Sequence, residues 1–133
     1  DEQYMKDKLG NMAGVTFTTY RSEDSLRIHS DKHIAVIPTT GSEGTSLSLL
    51  EAMSSGCAVI CTNVGGMTNI VIDHYNGIMI SPDEEELYLA IRELINDRQL
   101  RNILATRAYD TVQHSFSLET WKNKWAQIIR EIR

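Results

Sequence analysis

Glu43 and Glu51 are carboxylates set in a stretch of otherwise small or apolar residues, with seven residues between them. Glu43 stands in the loop Gly41-Ser42-Glu43-Gly44, and Glu51 lies about a turn and a half inside the helix expected to follow it. An ionised carboxylate removed from water without a partner costs several kcal/mol, so each needs one if it is buried. Vicinal hydroxyls of a ribose or a sugar would serve. The plainer alternatives are an acid favoured beside a helix N-terminus for Glu43 and a solvent-facing helix residue for Glu51. The residue types alone leave both readings open.

The same loop runs into a helix whose first turn contains Thr45, Ser46 and Leu47. A helix N-terminus offers backbone N–H groups without internal acceptors and about half a positive charge, so a phosphate can bind there without lysines. Gly44 lets such a group approach the main chain closely. A second glycine pair, Gly65-Gly66, follows the next apolar run and would bring bare backbone to the same place.

The elements that must carry these loops are legible from period and punctuation. Glu2 to Leu9 reads as a helix, Gly14 to Thr18 as an extended segment, and a short helix through Leu26 and Ile28 follows, with Ser22 as its cap. His33 to Ile37, closed by Pro38, is apolar on both faces and suits a strand inside a parallel sheet. A helix over 46–55 follows, with apolar stripe Leu47, Leu50 and Met53 and Gly56 at its end. Ala58 to Cys61 is the next strand, Val64-Gly65-Gly66 a tight loop, Thr68 to Ile72 a short helix, and Asn76-Gly77 a turn into the strand Ile78 to Ile80. Ser81, Pro82 and Glu84 fit N-cap, first helical residue and capping-box acid of a helix carrying Leu87, Ala90, Ile91 and Leu94. Two more helices close the chain: one with Leu100, Ile103, Leu104 and Ala108, and one over about 117–132 with Leu118, Trp121, Trp125, Ile128 and Ile132. Both tryptophans are expected to face the core.

Strands separated by helices argue for an α/β, Rossmann-like parallel sheet with helices on both faces, in one domain over 1–133. In such sheets ligands bind beyond the carboxyl ends of the strands, where both glycine-bearing loops fall. With 13 basic and 18 acidic residues the net charge is −5, which argues against nucleic acid or an anionic membrane as main partner. No apolar run is long enough to span a bilayer and Asp1 to Gly10 lacks the regions of a signal peptide, so a cytoplasmic chain is expected. Cys57 and Cys61 read as buried thiols, and His29, His33, His74 and His114 are too scattered for a metal site.

The stretches Ala35-Val36-Ile37-Pro38, Glu43 through Met53, Gly56-Cys57-Ala58-Val59-Ile60 and Val64-Gly65-Gly66 resemble the nucleotide-sugar half of retaining GT-B glycosyltransferases of the large "group 1" (family 4). That family carries two glutamates separated by seven residues. The likeness continues through Asn76-Gly77 and Phe116-Ser117-Leu118-Glu119-Thr120-Trp121. It departs from the pattern at Thr45 and Ser46, at Ala58, and at Asn69.

The resemblance implies a role for each matching residue. Glu43 would contact the transferred sugar as the catalytic residue, and Glu51 would accept hydrogen bonds from the ribose. The N–H groups of Thr45, Ser46 and Leu47, beside Gly44, would hold the diphosphate, and Gly65 and Gly66 would line the donor pocket. It implies transfer from a nucleoside-diphosphate sugar with retention of anomeric configuration, no metal or other cofactor, and a role in polysaccharide biosynthesis. It further implies an acceptor-binding domain, and the opening strand and helix of this half, elsewhere in a longer polypeptide, which could associate peripherally with a membrane. The chain alone is then expected to be inactive, with closing-helix surface left free for self-association.

Two other classes bear weighing. A non-catalytic nucleotide-binding or protein-interaction module could use the same sheet. A phospho-acceptor receiver domain suits the length but needs an Asp at the end of a central strand, where this chain has Pro38 and Thr62.

Overall fold

The computed structural model describes residues 2–132, with the side chains of Glu2 and Ser22 excepted. In chain order the elements are α1 (Glu2–Leu9), α2 (Ser25–His29), β1 (Ile34–Ile37), α3 (Leu47–Ser54), β2 (Ala58–Thr62), β3 (Ile78–Ile80), α4 (Glu84–Asn96), α5 (Arg98–Thr111) and α6 (Leu118–Glu131). Short 3₁₀ turns occupy Ser22–Asp24 and Gly65–Asn69, and a π-helical turn, Val112–Phe116, joins α5 to α6.

The strands form one parallel sheet in the order β1-β2-β3. Ile37 is in register with Cys61, and Thr62 with Ile80, so all three carboxyl ends reach the same edge. Side chains alternate along a strand, and in β2 this sends Val59 and Cys61 to one face and Ala58 and Ile60 to the other. The first face packs on Leu49, Ala52 and Met53 of α3, with Met67 and Val71. The second packs on Ala90 and Leu94 of α4. α5 serves both layers, giving Leu104 to one and Ala108 to the other. The α/β sheet with helices on both faces is therefore as expected. Every residue of β2 is buried, in keeping with a strand covered on both faces.

Gly14 to Thr18, expected as an extended segment, pairs with no strand among the described residues. Several other expectations are corrected. β1 is an edge strand, half-buried rather than enclosed, because among the described residues it pairs only with β2. The Ser22 side chain lies outside the described residues, and α2 begins instead after Asp24. The core stripe of α3 is Leu49, Ala52 and Met53, since Leu47 at the first helical position points outward and is 69% exposed. The expected helix over Thr68 to Ile72 is the 3₁₀ turn Gly65–Asn69, which starts and stops earlier. The cap of α4 is Asp83 rather than Ser81.

α6 departs furthest. It starts where expected, capped by Ser117, but buries none of its residues, and Trp121 and Trp125 are 59% and 49% exposed. Their rings lie 6.2 Å apart on the outer face. The spacing that suggested core residues marks an apolar stripe correctly, but nothing among the described residues covers it. No helix among these residues is long and apolar enough to cross a membrane.

Candidate functional site

The two glycine-bearing loops meet at the carboxyl edge of the sheet. The first leaves β1 at Pro38 and enters α3; the second leaves β2 at Asn63. The Thr62 hydroxyl donates to the Thr39 carbonyl at 2.6 Å, tying the loops at their base. Further out, the Gly66 N–H donates to the Glu43 carbonyl at 3.0 Å. The contact is main chain against main chain: a Cβ at Gly65 would overlap the Glu43 carbonyl, and one at Gly66 would overlap that of Gly44. Gly65 also has a φ of +56°, which a side chain would strain. Only glycine fits at either position.

α3 opens beside this contact. Ser46 is its N-cap, buried, and its hydroxyl accepts from the Leu49 N–H at 3.4 Å. The Leu50 N–H donates to the Ser46 carbonyl, beginning the helical ladder. The N–H groups of residues 44–48 donate to no acceptor among the described residues. Gly44, Thr45, Leu47 and Ser48 are exposed. This row is the positive end of a helix, suited to an anion rich in oxygen acceptors.

Glu43 and Glu51 are each half-buried, and neither carboxylate has a hydrogen-bond or ion-pair partner among the described residues. Glu51 is four residues after Leu47, on the helix side away from Leu49, Ala52 and Met53. α2 packs along that flank, where the Ser55 hydroxyl donates to the Leu26 carbonyl, which explains partial burial of an outward residue. Between Lys32 and Arg92 the chain has no lysine or arginine, so these segments bring no cation to the edge.

A cleft of about 120 Å³ also opens at the strand ends, between the first loop and the start of α4. It is lined by Pro38, Thr40, Thr62, Ile80, Pro82, Asp83, Glu84 and Leu87, and includes neither Glu43 nor Glu51 nor any of the loop glycines. Pockets that enclose a drug-sized ligand run to roughly 300–1,000 Å³, so this cleft is too small for a nucleotide sugar. Its position was legible from the strand ends; its lining, drawn from three elements, was not.

The remaining candidates have structural roles. Cys57 and Cys61 are buried free thiols on and beside β2, and burial pushes the Cys61 thiol up to about 11. Asn76 is buried: its side chain accepts from the Ile72 N–H and donates to the Ile70 carbonyl and the Thr111 hydroxyl. Among the described residues no group of three or more His, Cys, Asp or Glu could hold a metal ion.

The parallel sheet thus carries at its carboxyl edge two loops locked backbone to backbone beside an open helix start. Residues 1–111 match the model of the family described as glycosyl transferases group 1, and the chain belongs to that family. It is 31% identical, over 92% of its length, to an uncharacterised glycosyltransferase of Methanocaldococcus jannaschii, of which it covers 31%. Thus the chain spans about a third of the length of that curated relative. Among solved structures it is similar to the C-terminal domain of the group 1 glycosyl transferase LpcC of Francisella tularensis, with TM-score 0.73 and 29% identity over 88% of this chain and 60% of that one. It shares its fold with Anabaena HepE, crystallised with UDP, at TM-score 0.87 and 23% identity over 98% of this chain and 36% of that one. The C-terminal half of a GT-B glycosyltransferase is the region these residues represent.

Proposed function

We propose that the chain is the donor-binding domain of a retaining, family 4 glycosyltransferase that transfers a hexose from a nucleoside-diphosphate sugar. The observation that carries this reading is the row of free N–H groups at 44–48 standing between two half-buried carboxylates without protein partners. The amides of Thr45, Ser46 and Leu47 hold the diphosphate, and the helix end stabilises the charge that grows on it as the bond to the sugar breaks. Glu51 accepts from the two ribose hydroxyls. Glu43, one loop closer to the second glycine pair, contacts the transferred sugar. Gly65 and Gly66 keep the wall of this groove free of side chains. The chemistry calls on no metal, because helix amides neutralise part of the leaving charge and cations from outside residues 33–91 supply the rest. The acceptor is bound by another domain of a longer polypeptide, and residues 1–133 alone bind donor weakly and transfer nothing.

Titration calorimetry with UDP, GDP, ADP and TDP tests the reading. One of them should bind, and Glu51→Ala should weaken it at least about tenfold, since hydrogen bonds to a charged group are worth roughly 1.5–3 kcal/mol. Unchanged binding by Glu51→Ala would exclude the ribose role and favour a module that uses its surface otherwise. Turnover by the chain alone would refute its inactivity.

A further inference from the structure

At the opposite end of the sheet from the donor groove, the turn between Asp73 and Gly77 leads into β3. His74 sits in this turn with a φ of +54°, the one non-glycine residue among those described with a left-handed backbone. Its Nδ1 lies 3.0 Å from Asp73 Oδ1, and its Nε2 lies 3.5 Å from Glu93 Oε2 on α4. The Asp73 carboxylate also accepts from the Met79 N–H at 2.8 Å, in β3 itself. The other ion pairs among the described residues join neighbours within one local segment; His74 to Glu93 is the one that joins two separate elements. α5 presents Arg107 to the same turn, but its guanidinium lies over the Tyr75 ring and reaches the Tyr75 carbonyl.

A neutral imidazole has one N–H and one bare nitrogen. Placed between two carboxylates, it can donate to only one and turns a lone pair towards the other. Only the imidazolium, with both nitrogens protonated, can satisfy Asp73 and Glu93 together. We propose that His74 is a pH-operated staple: protonated, it fastens the 73–77 turn and the start of β3 to α4, and on deprotonation the link to Glu93 is lost.

The two carboxylates hold the His74 pKa above its ordinary value, Asp73 chiefly by its hydrogen bond, against a partial opposing effect of burial. The raised folded value fixes the sign. The stabilisation is complete below the ordinary imidazole range near about 6.5 and disappears as pH rises through the folded value. The turn is thus tighter in mildly acid solution than in mildly alkaline solution.

Hydrogen exchange of the Met79 amide, corrected for intrinsic rate, reads the staple directly in the whole chain. From pH 6 to pH 8, protection should fall about two- to fivefold, as expected for a solvent-exposed pair. In Glu93→Gln the fall should shrink, and NMR titration should find the His74 pKa lower than in the unmodified chain. His74→Asn, which tolerates the left-handed backbone and has no titrating group, should abolish the pH dependence while keeping the fold. A His74 pKa at or below that of an exposed histidine, or pH-independent protection of Met79, would overturn the proposal.

Discussion

Gly65 and Gly66 hold the candidate site together by having no side chains. The overlap that a methyl group would make at either is with main chain of the first loop, which cannot move aside as a flexible side chain could. Gly66→Ala should therefore cost about 1–3 kcal/mol of stability, and Gly65→Ala about 1–2 kcal/mol more for its left-handed backbone. Gly44 is the contrasting case, with nothing within 4 Å of an added Cβ. Gly44→Ala should keep the urea midpoint of the unmodified chain while weakening nucleoside diphosphate binding, because the methyl stands beside the amide row. Gly66→Ala should lower both. A Gly66→Ala chain as stable as its parent would mean that the two loops are not packed as described.

Helix starts set the accuracy of the elements. The Asp83 carboxylate accepts from the Glu85 and Glu86 N–H groups at 3.0 and 2.9 Å, while the Glu86 carboxylate reaches back to the Ser81 N–H at 2.7 Å. Asp83→Ala should cost about 1 kcal/mol, a fall of roughly 3–5 °C in melting temperature, whereas Ser81→Ala should change it little, since Ser81 takes part through its backbone. Scanning calorimetry separates the two. The same example marks what was legible: the capping sequence announces the helix, but that Asp83 and not the expected Ser81 caps it is decided by the geometry. Buried strands were readable because burial on both faces demands an unbroken apolar run, and amphipathic helices because burial of one face imposes a period. That Gly14 to Thr18 joins no sheet was not legible, because a strand needs a neighbour and a neighbour is not a property of the segment. The site divides likewise. The loops, Glu43, Glu51 and the helix start were visible as residue types in order, yet the contact that joins them runs through the Glu43 carbonyl, which every residue possesses. His74 and Glu93 were invisible as a pair because they lie on separate elements.

At the scale of the molecule, α6 is the feature the rest of the fold does not account for. Leu118, Trp121, Trp125, Ile128 and Ile132 recur at alternating intervals of three and four residues, which lines them along one side of the helix, and all are exposed. Covering the free half of each indole is worth roughly 2–3 kcal/mol at 25 cal/mol per Å², large beside the stability of a domain this size. Within a longer glycosyltransferase, this face is proposed to seat against the acceptor-binding domain. Given residues 1–133 alone, two copies should bury it against each other. Sedimentation should find concentration-dependent association, and Trp121→Ser with Trp125→Ser should abolish it. Helix content should persist, because the Ser117 cap on the Thr120 N–H is untouched. Addition of the acceptor-binding domain should compete with self-association if one face serves both. A chain that stays monomeric, with its indole fluorescence unchanged on adding that domain, would remove α6 from the interface.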